Sequence, residues 1–173
     1  MRHYLEELGY RYVNVDIRAL ENTGSSIVGD AQLLPFKDGS FDLLISKDSL
    51  EHFLRPWEVV HEVYRVMKKN GLFVAWVPFM HPFHGNDLYR YSPLGLYHLF
   101  HDFKIISLES PLGVFTVFGS ACTHLLKRFH LDFTARSIKR FCRLLDRIFA
   151  RYQKHPSSYA PAYRIVACKP ERE

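Results

Sequence analysis

Carboxylates stand just behind three short apolar runs of this sequence. Asp16 closes the run that starts at Tyr12, Asp30 follows Ile27-Val28-Gly29, and Lys47-Asp48-Ser49-Leu50-Glu51-His52 follows Phe41-Asp42-Leu43-Leu44-Ile45-Ser46. In open α/β sheets ligands lie beyond the carboxyl ends of strands, so Asp30 and segment 46–52 fall where a ligand would be held. His52 is a candidate general base, because imidazole titrates near neutral pH; the alternative is a site that positions its reactants without any base. The second chemically dense stretch is His81-Pro82-Phe83-His84-Gly85-Asn86-Asp87-Leu88-Tyr89-Arg90-Tyr91-Ser92-Pro93. Its His81, His84 and Asp87 are of metal-ligating types, but no fourth ligand accompanies them and no metal site is expected. Tyr89, Arg90 and Tyr91 suit an anionic or aromatic acceptor, or else anchor the loop.

The elements that must position these groups are legible as alternating strands and helices. Residues 41–46 form a short apolar run bounded by Asp38-Gly39-Ser40 and Lys47-Asp48, which predicts a strand buried on both faces of a parallel sheet. Residues 12–17 and 27–29 predict two more strands, the first rich in β-branched residues. Leu5 and Leu8 share a helix face that ends at Gly9. Residues 57–69 repeat apolar side chains at helical spacing, with Lys68-Lys69-Asn70-Gly71 as a cationic last turn and stop. Residues 72–77 follow as a buried strand, so the unit is a right-handed parallel crossover. Ser92 and Pro93 predict a helix start, with residues 103–108 and 163–168 as further strands. Leu33, Leu34, Pro35 and Phe36 are expected in the core.

The ordered set Gly29-Asp30-Ala31, Leu34-Pro35-Phe36, residues 41–46 and Leu50-Glu51-His52 resembles the class I S-adenosylmethionine-dependent methyltransferases, type 11 branch. The resemblance runs from about residue 4 to about residue 106. It implies an α/β, Rossmann-like sheet, mostly parallel with an antiparallel last strand, and S-adenosyl-L-methionine as cofactor. Asp16 and its neighbour Ile17 would meet the ribose hydroxyls, for which one carboxylate has two accepting oxygens. Asp30 would accept from the adenine amine, with Gly29 and Ala31 small enough for a flat base to approach the backbone. Ser46, Lys47 and His52 would line the methionine side, and His81, His84, Tyr89, Arg90 and Tyr91 the acceptor pocket. The implied activity is methyl transfer to a small-molecule or lipid-linked acceptor. The family begins with a strand and a glycine-rich turn that do not precede Met1, and that strand is central in the family's sheet. The expectation is a truncated, weakly cofactor-binding form; alternatively the second and fourth family strands pair directly, or another chain fills the slot.

At 173 residues, 47% apolar and 24% charged, the chain suits one domain burying about 70% of its unfolded surface. Within it, residues 1–110 are the expected cofactor-binding core, 111–155 a basic helical insertion and 160–169 the last strand. The net charge of +5 is concentrated late: residues 111–173 hold 12 Lys and Arg against 4 Asp and Glu. Ile138, Phe141, Leu145, Ile148, Phe149 and Tyr152 form one helical stripe opposite Arg136, Lys139, Arg140, Arg143, Arg147 and Arg151. That helix is expected to pack its stripe on the sheet or a neighbouring helix; the alternative is an interaction module touching an anionic membrane surface or a protein. No nucleic-acid motif accompanies the charge, so nucleic acid is not an expected partner. Three scattered cysteines, no secretory leader and no apolar run of membrane-spanning length predict a cytoplasmic protein.

Overall fold

The computed structural model describes residues 2–18, 26–83, 85–130, 132–149 and 158–171. A short helix α1 (Arg2–Glu7) leads through Gly9, at φ 84°, into β1 (Asn14–Asp16), which pairs in parallel with β2 (Ser26–Val28). These two strands form a sheet of their own. The second sheet has the order β3-β4-β6-β5, from β3 (Phe41–Lys47), β4 (Met67–Pro78), β5 (Lys104–Glu109) and β6 (Ala162–Cys168). β3 and β4 are parallel, and β6 runs antiparallel between β4 and β5, as expected of the last strand. Among the described residues β1 does not pair with β3. A cavity of about 240 Å³ separates them, lined by Asn14 and Val15 on one side and by Phe41 and residues 43–46 on the other. Direct closure of the sheet is therefore not what this chain does.

The core lies on one face of the larger sheet. Alternate residues Phe73, Ala75 and Val77 of β4, and Tyr163, Ile165 and Ala167 of β6, are buried. They meet Val59, Val60 and Val63 of α2 (Pro56–Val66) and Leu96 of α3 (Pro93–Leu99), together with Phe100 just after it. Phe73 stacks on Phe100 with centroids 5.2 Å apart, and Tyr64 meets Phe103 edge-on at 5.1 Å. The predicted N-cap holds: Gly95 N–H donates to Ser92 Oγ at 3.1 Å.

Four local expectations need correction. β3 is not buried on both faces; it is a sheet edge, and Ile45 is 38% exposed. Helix α2 ends at Val66 rather than Lys69, because Met67 already turns extended and pairs with Phe41, while Lys169 Nζ takes the carbonyls of Tyr64 and Met67, each at 2.8 Å. Leu33 and Pro35 are not in the core but exposed, whereas Leu34 between them is buried and Phe36 half-buried. The insertion is a hairpin of α4 (Val114–Arg128) and α5 (Asp132–Phe149), and the buried seam of α5 is Ala135, Cys142 and Asp146. Phe141 and Ile148 of the expected stripe are exposed, and Tyr152 and Arg151 lie outside the described residues. Close approach selects that seam: a Cβ on Gly119 of α4 would sit 2.8 Å from Cys142 Sγ. Asp146 then caps α4 from outside, accepting from the N–H groups of Phe115 at 3.1 Å and Thr116 at 2.9 Å. No helix among the described residues is long and apolar enough to cross a membrane.

Candidate active site

The two strand-ending carboxylates come side by side. Asp16 pairs with Val28 in the β1–β2 ladder, and Gly29 N–H donates to Asp16 O at 3.0 Å, so Asp30 emerges two residues beyond the same sheet edge. Asp16 Oδ1 accepts from Arg18 N at 2.9 Å. Asp30 Oδ1 accepts from Gln32 N at 2.8 Å, and its Oδ2 from Gln32 Nε2 at 3.1 Å. Each is thus oriented by a backbone N–H two residues ahead, and a carboxylate oxygen has lone pairs to spare after one such bond. Ile17 is 68% exposed beside them. Gly29 lies against Pro35 and Val15, where a Cβ would find ordinary contacts at 3.5 Å, so its smallness is not demanded by the protein itself.

A clamp fixes the segment that carries Asp30 and Ala31. Arg65 of α2 reaches Phe36 O at 2.8 Å, Leu34 O at 3.0 Å and Asp38 Oδ1 at 2.7 Å, while holding Glu62 through Nε at 2.7 Å and Nη2 at 2.8 Å. Glu62 Oε2 also accepts from Leu34 N at 2.8 Å. The bond from Arg65 is the main reason the Glu62 carboxyl lies below its ordinary value, against partial burial, with the Leu34 N–H helping. Ala31, Leu34 and Phe36 of this segment line the cavity together with Ser46, Ser49 and Phe53. Ala31 and Ser46, predicted at the cofactor, therefore share one concavity. Asp16, Ile17, Gly29, Asp30, Lys47 and His52 lie outside its lining.

Beyond β3 the chain turns sharply at Asp48, with φ 49°, into a single 3-10 turn over Leu50–His52. The segment after β4 folds back over this turn. Leu88 N and Tyr89 N donate to Glu51 O at 2.8 and 3.2 Å, and Tyr91 Oη donates to Leu50 O at 2.7 Å. Tyr89 Oη binds Leu54 O at 3.0 Å and its ring stacks on Tyr91 at 5.9 Å. Arg90 Nη2 holds Asp87 Oδ2 at 2.5 Å and its guanidinium lies over Phe83 at 4.7 Å. Of the residues predicted for the acceptor, Tyr89, Arg90 and Tyr91 thus pin the loop. Tyr91 is buried, and burial pushes its phenol well above the usual range, helped by the Glu51 charge. His81 is exposed with Nδ1 3.0 Å from Pro82 O, and His84 lies outside the described residues.

His52 is a third exposed, and both its ring nitrogens face carboxylates: Nδ1 is 3.3 Å from Asp87 Oδ1 and Nε2 is 3.8 Å from Glu51 Oε1. Glu51 itself is fully buried, and burial raises its carboxyl pKa, opposed by its own backbone N–H and His52 and reinforced by Asp48 and Asp87. Within segment 46–52 the sequence gives Glu51 no role of its own, because a glutamate between a leucine and a histidine resembles a surface residue. Only the return of residues 87–91 encloses it. Glu62 had a signal, since it stands three residues before Arg65 on a helix whose apolar face includes Val59 and Val66.

Residues 1–75 match the type 11 family model described as a methyltransferase domain. The match covers 75 of the 173 residues, and over that part the chain is similar to the methyltransferase domain. An uncharacterized methyltransferase of Mycolicibacterium gilvum is 33% identical to this chain over 81 residues, which are 46% of this chain and 32% of that protein. The chain thus spans about a third of the length of the curated relatives it matches. Among solved structures, an S-adenosylmethionine-dependent methyltransferase from Archaeoglobus fulgidus superposes with TM-score 0.63 at 17% identity, covering 97% of this chain and 80% of that one. The 1,6-didemethyltoxoflavin-N1-methyltransferase of Burkholderia thailandensis, solved with 1,6-didemethyltoxoflavin and S-adenosylhomocysteine, superposes with TM-score 0.60 at 13% identity, covering 98% and 66%. These likenesses show a shared Rossmann-like methyltransferase fold. The carboxylates of Asp16 and Asp30, the small Ala31 and the end of β3 have the chemistry to suit an adenosine group: acceptors for a diol and an amine, near an apolar wall.

Proposed function

We propose that the chain transfers a methyl group from S-adenosylmethionine to a small-molecule or lipid-linked acceptor at the carboxyl ends of β1, β2 and β3. The observation that carries this reading is the pair Asp16 and Asp30, presented at one edge by two hydrogen-bonded parallel strands within the family-matched segment. The cofactor's chemistry is a methyl carbon on a positive sulfur, which an acceptor's lone pair takes as the carbon–sulfur bond breaks. The protein's contribution is positioning, which in-line attack needs more than acid–base help. Asp16 accepts from the ribose hydroxyls and Asp30 from the adenine amine. Ala31 and Ser46 border the base and the methionine side, Lys47 bears on the same side, and the loop pinned by Tyr89, Arg90 and Tyr91 overhangs the acceptor.

Isothermal titration with S-adenosylhomocysteine tests this on the purified chain. The expected result is micromolar binding, weakened at least about tenfold, or 1.4 kcal/mol, by Asp16→Ala. A folded chain that binds nothing, or binds equally well without the Asp16 carboxylate, overturns it. One observation favours a second reading, an interaction module: α5 exposes Phe141, Leu144 and Ile148 beside Arg140, Arg143 and Arg147. Salt-sensitive sedimentation with anionic vesicles, in a chain that ignores the nucleoside, is the result that reading requires.

A further inference from the structure

Glu51 presents an unresolved electrostatic problem. Its side chain is fully buried, and neither carboxylate oxygen has a hydrogen-bond partner. Buried charges in proteins are paired or coordinate metals, because an isolated carboxylate in a low-dielectric interior is strongly unfavourable. The neighbouring Asp87 side chain is 1% exposed, and its Oδ2 is already engaged by Arg90. Arg90 therefore offsets the Asp87 carboxylate, while Glu51 has only the His52 ring, 3.8 Å away, and its own backbone N–H beside it. Between the two carboxylates stands the His52 ring, with one nitrogen toward each.

We propose that Glu51, His52 and Asp87 form a binding site for a divalent first-row cation. One donor atom from each residue lies within 4.8 Å of the others, close enough for a single ion to collect all three after small side-chain adjustments. Two carboxylate oxygens and an imidazole nitrogen suit Mn²⁺ or Zn²⁺ better than the all-oxygen cage that Ca²⁺ prefers or the thiolates that Cu(I) selects. Three protein ligands leave coordination positions open, the pattern of sites that also hold a water or a ligand oxygen. The surroundings hold the donors in place. Glu51 and His52 share one 3-10 turn whose backbone carbonyl takes the N–H groups of Leu88 and Tyr89, which carries Asp87 over Glu51. Arg90, anchored over Phe83, orients Asp87 through the oxygen that faces away from His52, the role outer-shell partners play at metal centres. These residues differ from the neighbouring metal-ligating types His81, His84 and Asp87, and share only Asp87 with them.

Cation binding stands independently of methyl transfer; only the use of the open positions to hold an acceptor oxygen rests on that reading. The test is titration of the full chain, stripped with chelator and desalted, with MnCl₂ and with ZnCl₂ in the absence of any nucleoside. One ion per chain at micromolar affinity is expected, weakened at least about tenfold by Glu51→Gln and by Asp87→Asn, each near-isosteric, with folding checked by far-UV circular dichroism. A wild-type chain that takes up neither metal overturns the proposal whatever the variants do. So does an affinity unchanged in a folded Glu51→Gln or Asp87→Asn chain, which would leave the His52 ring standing between two carboxylates without a metal. S-adenosylhomocysteine binding without metal uptake would sink this inference and leave the methyltransferase reading intact; metal uptake without nucleoside binding would do the reverse.

Discussion

Replacing Glu62 with alanine removes the centre of the clamp that ties α2 to the segment bearing Asp30 and Ala31. Three bonds to its carboxylate vanish, two from Arg65 at 2.7 and 2.8 Å and one from Leu34 N at 2.8 Å. Breaking a fully buried pair by deleting one partner destabilises by about 3–5 kcal/mol. The Arg65 side chain is 29% exposed and keeps Asp38 and two backbone carbonyls, so water and those partners recover part of the loss. The expected loss is about 2–3 kcal/mol, since a hydrogen bond to a charged group is worth about 1.5–3 kcal/mol and the three are not additive. In a chain of this size that lowers Tm by roughly 5–10 °C. Urea denaturation of wild type, Glu62→Ala, Arg65→Ala and the double variant measures it, with a coupling of at least about 1 kcal/mol between the two sites. The pH dependence has a definite sign. The folded carboxyl lies below its ordinary value of 4.5, so its stabilisation is fully present above that pH and is lost as pH falls through the lower folded value. Wild type should therefore lose stability below about pH 4.5 that Glu62→Ala never had. A loss under about 0.5 kcal/mol at pH 7, or additive single variants, would refute the clamp.

Two further expectations concern the hairpin. Gly119→Ala brings a methyl to 2.8 Å from Cys142 Sγ and 2.9 Å from its Cβ, so overpacking should outweigh the gain in helix propensity and destabilise by about 1–2 kcal/mol, seen as a lower urea midpoint. Asp146→Ala leaves the N–H groups of Phe115 and Thr116 without their acceptor and should cost about 1–2 kcal/mol, with reduced helical circular dichroism at 222 nm; an unchanged spectrum and midpoint would mean water caps α4 equally well.

Much of the fold and half of the candidate site follow from short-range signals. β-branched runs closed by Asp16 and Asp30, the Ser92–Pro93 helix start and the antiparallel last strand are written in neighbouring residues, because strand and helix periods and caps act within a few positions. What lay beyond reach was set by partners distant in the chain. Lys169 ends α2 by taking the Met67 carbonyl from 102 residues away, and Cys142 meets Gly119 only once the hairpin closes, which turns Phe141 outward. The amphipathic pattern of α5 names an apolar arc but not which part of it finds a neighbour. Likewise, the sequence by itself determined the resemblance to the methyltransferases, the order of elements and the two carboxylates at strand ends. Tertiary structure alone decided that the sheet is split by a cavity between β1 and β3, and that Glu51 is sealed beside His52 and Asp87. Burial of a charge depends on a segment some 36 residues downstream folding back, and no local pattern encodes that return.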